Sequence, residues 1–241
     1  MSSAEIAAAR ERLSVVAERI HRASELAGRE PGSVRLLVAS KTQPAERVRA
    51  LLEAARSLEL PVLLGENRVQ ELVEKGPALA DLAPEWHLIG PLQSNKVNHA
   101  LRWAAAIESV SSLELAGRLA RKALGRERAL EVFVQVNVSE EPTKSGVDPD
   151  SAVELALAIA QLEGPRLRGF MTIGANTSDQ AVVRAGFARL REIRDEVLPS
   201  GAPGTELATE LSMGMSGDLE AAIAEGATIV RVGTALFGPR A

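Results

Sequence analysis

The feature that most constrains the fold of this chain is a regular alternation of short apolar runs with segments of helical periodicity. Eight candidate strands occur at a spacing of roughly 28 residues, and nearly all are followed by a candidate helix. The candidate strands are residues 34–39, 61–64, 86–89, 106–108, 132–138, 167–173, 206–211 and 228–232. Because consecutive parallel strands need a crossover helix, the alternation predicts a parallel sheet. Eight such units within 241 residues predict a closed (β/α)8 TIM barrel.

One further helix precedes the first strand. Residues 3–27 carry apolar side chains at helical spacing, and Gly28 ends the pattern. We therefore predict a single domain over residues 1–241, in which an extra N-terminal helix within residues 1–30 packs on the barrel. The other helices are predicted at residues 44–58, 66–75, 97–105, 112–124, 148–162, 180–197 and 219–225.

Composition excludes several classes of protein. The absence of cysteine rules out a disulfide scaffold, a thiol nucleophile and a cysteine-ligated metal. The net charge is −4, so the chain lacks the excess of positive charge that is typical of nucleic-acid-binding proteins. The three histidines lack metal-binding spacing, so we expect no metal site. No apolar run approaches the length of a membrane span, so we expect a cytoplasmic protein that does not bind membranes.

Lys41 is the first candidate functional residue because it follows the first predicted strand almost at once. In a (β/α)8 barrel, functional side chains collect at the C-terminal ends of the strands. Burial there lowers the pKa of an amine and makes it a nucleophile that can form a Schiff base. The alternative is a strand-end lysine that extends into solvent. The other lysines have weaker claims, because Lys96 and Lys144 lie in polar loops and Lys75 and Lys122 are expected on solvated helix surfaces.

Two turns that contain glycine and hydroxyl groups predict an anion site. Ser212 and Ser216 lie after the seventh predicted strand, and Gly233 and Thr234 lie after the eighth. The loops after strands seven and eight form the recurrent phosphate site of these barrels. Ser216 can also be explained as the cap of the next helix. The occurrence of such turns at both positions favours phosphate binding.

Arg231 interrupts the apolar last strand, where period-2 alternation places it on the opposite face from the valines beside it. A buried guanidinium needs an acceptor, and the sequence offers Glu66, Glu210 or a ligand atom. Asn67 can be explained as the cap of the helix that it begins, and His87 as a hydrogen-bonded strand histidine.

Five stretches of the sequence together resemble the pyridoxal 5′-phosphate (PLP) homeostasis protein family, also called the proline-synthase co-transcribed family. The stretches occur in the family's order and span nearly the whole chain. They are VASKTQP (38–44), GENRVQE (65–71), WHLIGPLQSNK (86–96), VNVSEEPTKSG (136–146) and LSMGMSGDLEAAIAEGATIVRVGTALFG (211–238). The combination is far more specific than any one motif.

The resemblance implies a barrel like the N-terminal domain of alanine racemase, with PLP bound to a lysine as a Schiff base. By motif match that lysine is Lys41. The site residues that the match implies are Ser212 or Ser216, Gly233 and Thr234 at the phosphate, Asn67 near the cofactor, and Arg231 near the ring or the phosphate.

The implied function is to hold PLP and to take part in intracellular PLP (vitamin B6) homeostasis and supply, with no catalytic residue assigned. We expect a monomer whose partners are PLP and PLP-dependent apo-enzymes. One alternative is a PLP-dependent amino-acid racemase with weak one-base activity. A two-base racemase is disfavoured, because the chain has no tyrosine and is expected to lack a second domain that would supply one. A phosphosugar aldolase that uses Lys41 as its Schiff-base amine fits the residues equally well, and only the resemblance argues against it.

Overall fold

Eight parallel strands close into a barrel in chain order. The computed structural model describes residues 3–139, 141 and 145–238. Within them the strands are β1 (Arg35–Ala39), β2 (Val62–Glu66), β3 (Trp86–Leu88), β4 (Ala104–Val110), β5 (Leu130–Gln135), β6 (Pro165–Met171), β7 (Glu210–Ser212) and β8 (Ile229–Val232). The barrel closes through β1 and β8, where Leu37 lies opposite Arg231 and Val38 opposite Val232. The predicted (β/α)8 barrel is confirmed.

The helices surround the barrel and follow the strands in alternation. They are α1 (Ser3–Leu26), α2 (Ala45–Ser57), α3 (Val69–Ala78), α4 (Val97–Ala100), α5 (Leu113–Ala123), α6 (Ala152–Ala160), α7 (Gln180–Val197), α8 (Leu219–Ala224) and α9 (Thr234–Phe237). No helix in the described part of the chain is long and apolar enough to span a membrane.

Helix α1 is the predicted extra helix, and it packs across α2, α8 and α9. Its buried face carries Leu13, Val16 and Ile20, as the helical period predicts. Arg12 on the same helix donates a hydrogen bond to the carbonyl oxygen of Leu236 in α9. The first helix therefore covers the seam where the barrel closes.

The barrel wall separates two apolar regions. The larger one lies between the sheet and the helices, whereas a small cluster fills the barrel interior. The interior cluster consists of Leu37, Leu63, Ala106, Phe133, Met171 and Ile229. Arg231 is two residues after Ile229 on β8 and faces the interior as predicted, whereas Val230 and Val232 face the helices.

Several predicted boundaries were wrong. The helix predicted at 97–105 is a single turn, and residues 104 and 105 belong to β4. Alanine favours helices, but Ala104–Val110 is buried along its whole length, so burial in the sheet overrides local propensity. Strand β7 begins at Glu210 rather than at residue 206, because the segment before it forms a turn. Helix α3 begins at Val69, since Glu66 still belongs to β2.

Replacing Gly169 by alanine should destabilise the barrel. Gly169 pairs with Glu210 across β6 and β7, and a Cβ at this position would overlap the carbonyl oxygen of Glu210. Since a backbone atom cannot move aside as a flexible side chain can, we expect a loss on the order of 3 kcal/mol in the free energy of unfolding.

The control is Gly117→Ala in α5, where the nearest atom to an added Cβ is the mobile end of Arg121. There we expect a gain of about 0.5–1 kcal/mol, because alanine favours a helix and restricts the unfolded chain. Urea unfolding measures both variants, and equal stability of Gly169→Ala and the wild type would contradict the close approach of β6 and β7.

Candidate functional site

A cavity of about 540 Å³ opens at the C-terminal ends of the strands. Its size falls in the range of small-molecule sites, and its position is the one that barrel topology predicts. Six of the seven predicted site residues line it, namely Lys41, Asn67, Ser216, Arg231, Gly233 and Thr234. Gln135 and Met171 from β5 and β6 also line the cavity, and nothing in the sequence analysis singled out a role for them there.

Lys41 is half-buried and lies on the turn that follows β1. The next residue, Thr42, has a φ of 65°, a left-handed conformation that β-branched residues rarely adopt. Such a conformation costs about 1–3 kcal/mol and persists only where neighbouring contacts enforce it. Here the N–H of Thr42 donates to the carboxylate of Glu71 over 2.7 Å. Helix α3, which carries Glu71, thus fixes the turn that carries Lys41.

Lys75 corrects one expectation from the sequence, because it is buried rather than solvated. Its Nζ donates to the carbonyl oxygen of Ser40 (2.8 Å) and forms ion pairs with Glu66 (2.6 Å) and Glu71 (2.9 Å). The signal was present in the helical period. Val69, Leu72 and Lys75 follow one another at three-residue intervals, so Lys75 lies on the apolar face of α3.

The two carboxylates beside Lys75 respond differently to burial. Burial raises the pKa of Glu66, and the hydrogen bonds from Lys75 and Ser40 only partly offset this effect. The second oxygen of Glu66 is buried and lacks a partner among the described atoms. Burial also raises the pKa of Glu71, but the hydrogen bonds from Lys75 and from the N–H of Thr42 outweigh it, so the net pKa of Glu71 is lowered.

The two predicted phosphate turns follow neighbouring strands, β7 and β8, and both line the cavity. Ser216 and Gly217 line it from the loop after β7, and Gly233 and Thr234 line it from the turn after β8. Ser216 is not the cap of α8, because Asp218 occupies the N-cap position of that helix. Nothing lies within 4 Å of a Cβ built on Gly217.

Asn67 likewise is not a helix cap, since Arg68 occupies the N-cap position of α3. The other lysines take no part in the described cavity lining: Lys122 is exposed as expected, and Lys96 is half-buried. Lys144 lies outside the described residues. No group of three or more histidine, aspartate or glutamate side chains within the described ranges could hold a metal ion.

Arg231 lies at the floor of the cavity and is only 5% exposed. One end of its guanidinium donates to the backbone carbonyl (2.6 Å) and hydroxyl (2.9 Å) of Ser212, and the other donates to the carbonyl of Thr172 (2.6 Å). The predicted protein acceptors were therefore wrong. Glu66 pairs with Lys75 outside the barrel wall, and Glu210 pairs with arginines at the opposite end of the barrel.

Ser212 does not line the cavity, because its hydroxyl is buried beneath Arg231 and donates to Glu108 over 2.6 Å. Glu108 in turn contacts His87 over 2.6 Å, and both side chains are fully buried. The far nitrogen of His87 lies 3.5 Å from Glu85, at the N-terminal end of β3. A polar chain therefore crosses the barrel interior from the cavity floor to the opposite end.

The carboxylates of this row of polar side chains hold His87 in its charged form. Burial alone would lower the pKa of His87, but Glu108 and Glu85 outweigh it and raise that pKa to about 9. The pKa of Glu85 falls to about 2, chiefly through its hydrogen bond with His87. The pKa of Glu108 is also lowered, because His87 and Arg231 more than offset its burial. Burial lowers the pKa of Arg231, an effect that Glu108 and Asp218 oppose.

The comparison with protein families agrees with this architecture. Residues 12–241 match the family described as alanine racemase, N-terminal domain. The barrel and the family match together define the class of this protein, which is a (β/α)8 barrel of the alanine racemase N-terminal-domain type.

Relatives of known description narrow this class. The chain is 46% identical over 230 residues to the pyridoxal phosphate homeostasis protein of Pseudomonas aeruginosa, covering 95% of each chain. It is 43% identical to the protein of the same name from Aquifex aeolicus, covering 95% of this chain and 97% of that one. The structure of PipY from Synechococcus elongatus with PLP bound superposes with a TM-score of 0.80 at 38% identity, covering 95% of this chain and 100% of that one. The chain belongs to the pyridoxal phosphate homeostasis protein family.

High pH should destabilise the fold through His87. The pKa of its imidazole is 6.5 ordinarily and about 9 in the fold, so its stabilising effect is complete below pH 6.5 and disappears as the pH rises through about 9. Between pH 7 and pH 10 we expect the free energy of unfolding to fall by about 2–3 kcal/mol more in the wild type than in His87→Gln. An NMR titration of the His87 ring gives a direct check on the wild type. A midpoint below pH 7 would show that the carboxylates do not hold the charge.

Proposed function

We propose that this chain binds PLP in the cavity at the C-terminal end of the barrel and holds it on Lys41. The observation that carries the proposal is that three kinds of functional group meet in one cavity of about 540 Å³. An amine (Lys41), two glycine and hydroxyl turns, and a fixed guanidinium (Arg231) all line it. The bound PLP of PipY, a structure of the same fold at 38% identity, supports the same ligand here.

The residues present fit this cofactor. When bound, PLP supplies an aldehyde that condenses with a primary amine, forming a C=N bond with loss of one water. In the part of the chain that the structure describes, Lys41 is the only lysine that lines the cavity. Lys75 is buried behind the turn and its Nζ already contacts three oxygens, so it does not compete for the aldehyde.

We assign the phosphate to the paired turns. Ser216 and Thr234 offer hydroxyl donors, and Gly217 and Gly233 let a ligand approach the backbone closely. A Cβ at Gly233 would lie 3.0 Å from the carbonyl oxygen of Ala39, so a side chain there would press on the end of β1. Asn67 approaches the cavity from the loop after β2 and provides an amide for a polar group of the ring.

We assign Arg231 to the ring and Ser212 to the support of Arg231. The carbonyls of Ser212 and Thr172 fix the plane of the guanidinium, and its burial keeps it from turning away. A guanidinium donates hydrogen bonds and keeps its proton at neutral pH, so Arg231 would hold a facing ring nitrogen unprotonated. Direct contact of Ser212 with the cofactor, which the motif match implies, stays a prediction.

Holding PLP for homeostasis and supply, without robust catalysis, is the activity that this set of residues favours. A two-base racemase requires acid/base groups on both faces of a substrate carbon. Among the described residues that line the cavity, the ionisable side chains are Lys41 and Arg231, and the chain contains no tyrosine. The names of the relatives, homeostasis proteins, agree with this role. Supply to apo-enzymes, the cytoplasmic location and the monomeric state stay predictions.

Reduction with borohydride should attach the cofactor irreversibly to Lys41. After incubation with PLP, reduction and digestion, we expect mass spectrometry to find the pyridoxyl phosphate group on the Lys41 peptide, and Lys41→Ala should lose this label. Lys122→Ala removes an exposed lysine remote from the cavity and should label like the wild type. Labelling confined to surface lysines would remove the basis for PLP binding here and favour the phosphosugar aldolase.

A single base should exchange the α-proton of an amino acid with solvent without inverting the configuration of the α-carbon. With L-alanine and PLP in D₂O, we expect any enzyme-dependent α-deuteration to retain the L configuration, because Lys41 is the one described base in the cavity and returns the deuteron to the face it came from. Chiral chromatography with mass detection measures both quantities, and Lys41→Ala is the control. Accumulation of D-alanine as fast as deuteration would establish a racemase instead.

A further inference from the structure

The two residues that flank Lys41 are both held by one buried charge cluster. On one side, Ser40 accepts a hydrogen bond from Lys75 at its carbonyl and donates from its hydroxyl to Glu66 over 2.7 Å. On the other side, Thr42 donates its N–H to Glu71. Lys75 links the two carboxylates, at 2.6 Å and 2.9 Å. We call Lys75, Glu66 and Glu71 the Lys75 clamp.

The Lys75 clamp lies outside the cavity, because none of its three members lines it. Glu66 is fully buried and Lys75 nearly so, in contact with the end of β1 and with α3. A buried ion pair is weak evidence for stability, since desolvation offsets much of its attraction. Its geometric effect is clearer, because charged hydrogen bonds are directional and three of them join the clamp to Ser40 and Thr42 in the Lys41 turn.

The backbone of Thr42 shows what the clamp holds. Its left-handed φ of 65° is a conformation that would suit glycine far better than threonine. If the N–H of Thr42 lost its carboxylate partner, the turn could relax to a negative φ. Since Lys41 is the adjacent residue, its Cα–Cβ bond would then change direction relative to the cavity.

We propose that the Lys75 clamp is a positioning device for Lys41, which keeps the turn after β1 in its left-handed form and so directs the amine into the cavity. The inference rests on the proposed function, in which Lys41 carries the cofactor. Among the described residues, no hydrogen bond or ion pair of the clamp reaches the phosphate turns after β7 and β8, so the clamp governs reaction of the aldehyde and not retention of the phosphate.

The test separates attachment at Lys41 from binding in the cavity. Stopped-flow absorbance measures the rate at which PLP becomes attached, and borohydride trapping assigns the attachment to Lys41. Calorimetry measures binding of pyridoxine 5′-phosphate, which has the ring and phosphate but no aldehyde. The variants are Glu71→Ala, Glu71→Gln, and Lys75→Met combined with Glu66→Gln. The double variant removes the two most deeply buried charges together and leaves Glu71, which is partly exposed, as the one charged member of the clamp. Glu74→Ala, on an exposed position of the same helix, is the matched control.

We expect Glu71→Ala and the double variant to slow attachment tenfold or more, since displacing a reacting group by about 1 Å costs up to 100-fold. Affinity for pyridoxine 5′-phosphate should stay within about twofold of the wild type, as the phosphate and ring contacts are untouched. Glu71→Gln keeps an oxygen for the N–H of Thr42 and should recover most of the rate. Thr42→Gly added to Glu71→Ala should also recover rate, because glycine adopts the left-handed turn without help.

Three results would overturn the inference. In the first, Glu71→Ala attaches PLP at the wild-type rate. In the second, it loses attachment and analogue binding in the same proportion, which indicates a general structural role. In the third, neither Glu71→Gln nor the added Thr42→Gly restores the rate. If Glu71→Ala does not fold, the Glu71→Gln variant decides the question. A Glu71→Gln protein that folds normally but attaches PLP tenfold or more slowly than the wild type would overturn the inference, because Gln keeps the acceptor for the N–H of Thr42. Failure of the wild type itself to label at Lys41 refutes the proposed function and is distinct from all three.

Discussion

The pairing of β1 with β8 is the contact on which the rest of this structure depends. The two strands lie at opposite ends of the chain, and their register places Val38 beside Val232. The turns that follow them are therefore neighbours, one carrying Lys41 and the other carrying Gly233 and Thr234. Because a backbone-to-backbone ladder fixes this register, the amine and the proposed phosphate turn are set relative to each other by the sheet itself, which is far stiffer than a loop.

Two groups of buried polar side chains support the residues that line the cavity. The Lys75 clamp lies between the barrel wall and α3, whereas the chain from Arg231 through Ser212 and Glu108 runs inside the barrel. Neither system is aimed at solvent, and each ends at a residue that lines the cavity or stands next to one that does. The cavity is thus supported on both sides of the β-sheet by charges that are paired within the protein.

The sequence was sufficient for the barrel and for five of the residues around its cavity, because both follow from local signals, whereas Asn67 was assigned there only through the family resemblance. Alternating strands and helices determine the topology, and the position of a residue after a strand determines the end of the barrel where it lies. The partners of Arg231 could not be predicted, since two of its acceptors are backbone carbonyls, which every residue has. Lys75 was expected in solvent because lysine usually lies there, but its helical period places it on the buried face of α3. Strand β4 was predicted too short because its buried alanines resemble a helix in isolation.

The seam that α1 covers has a consequence for how the protein matures. Arg12 and its acceptor at Leu236 are separated by 224 positions, and β1 meets β8 across almost as much of the chain. Contacts of such sequence separation form late, because the entropy of closing the loop must be overcome before they contribute. Until β8 pairs with β1, the sheet is open and has two unpaired edges, and the cavity is not yet formed. Ligand binding at this site therefore reports that the barrel has closed.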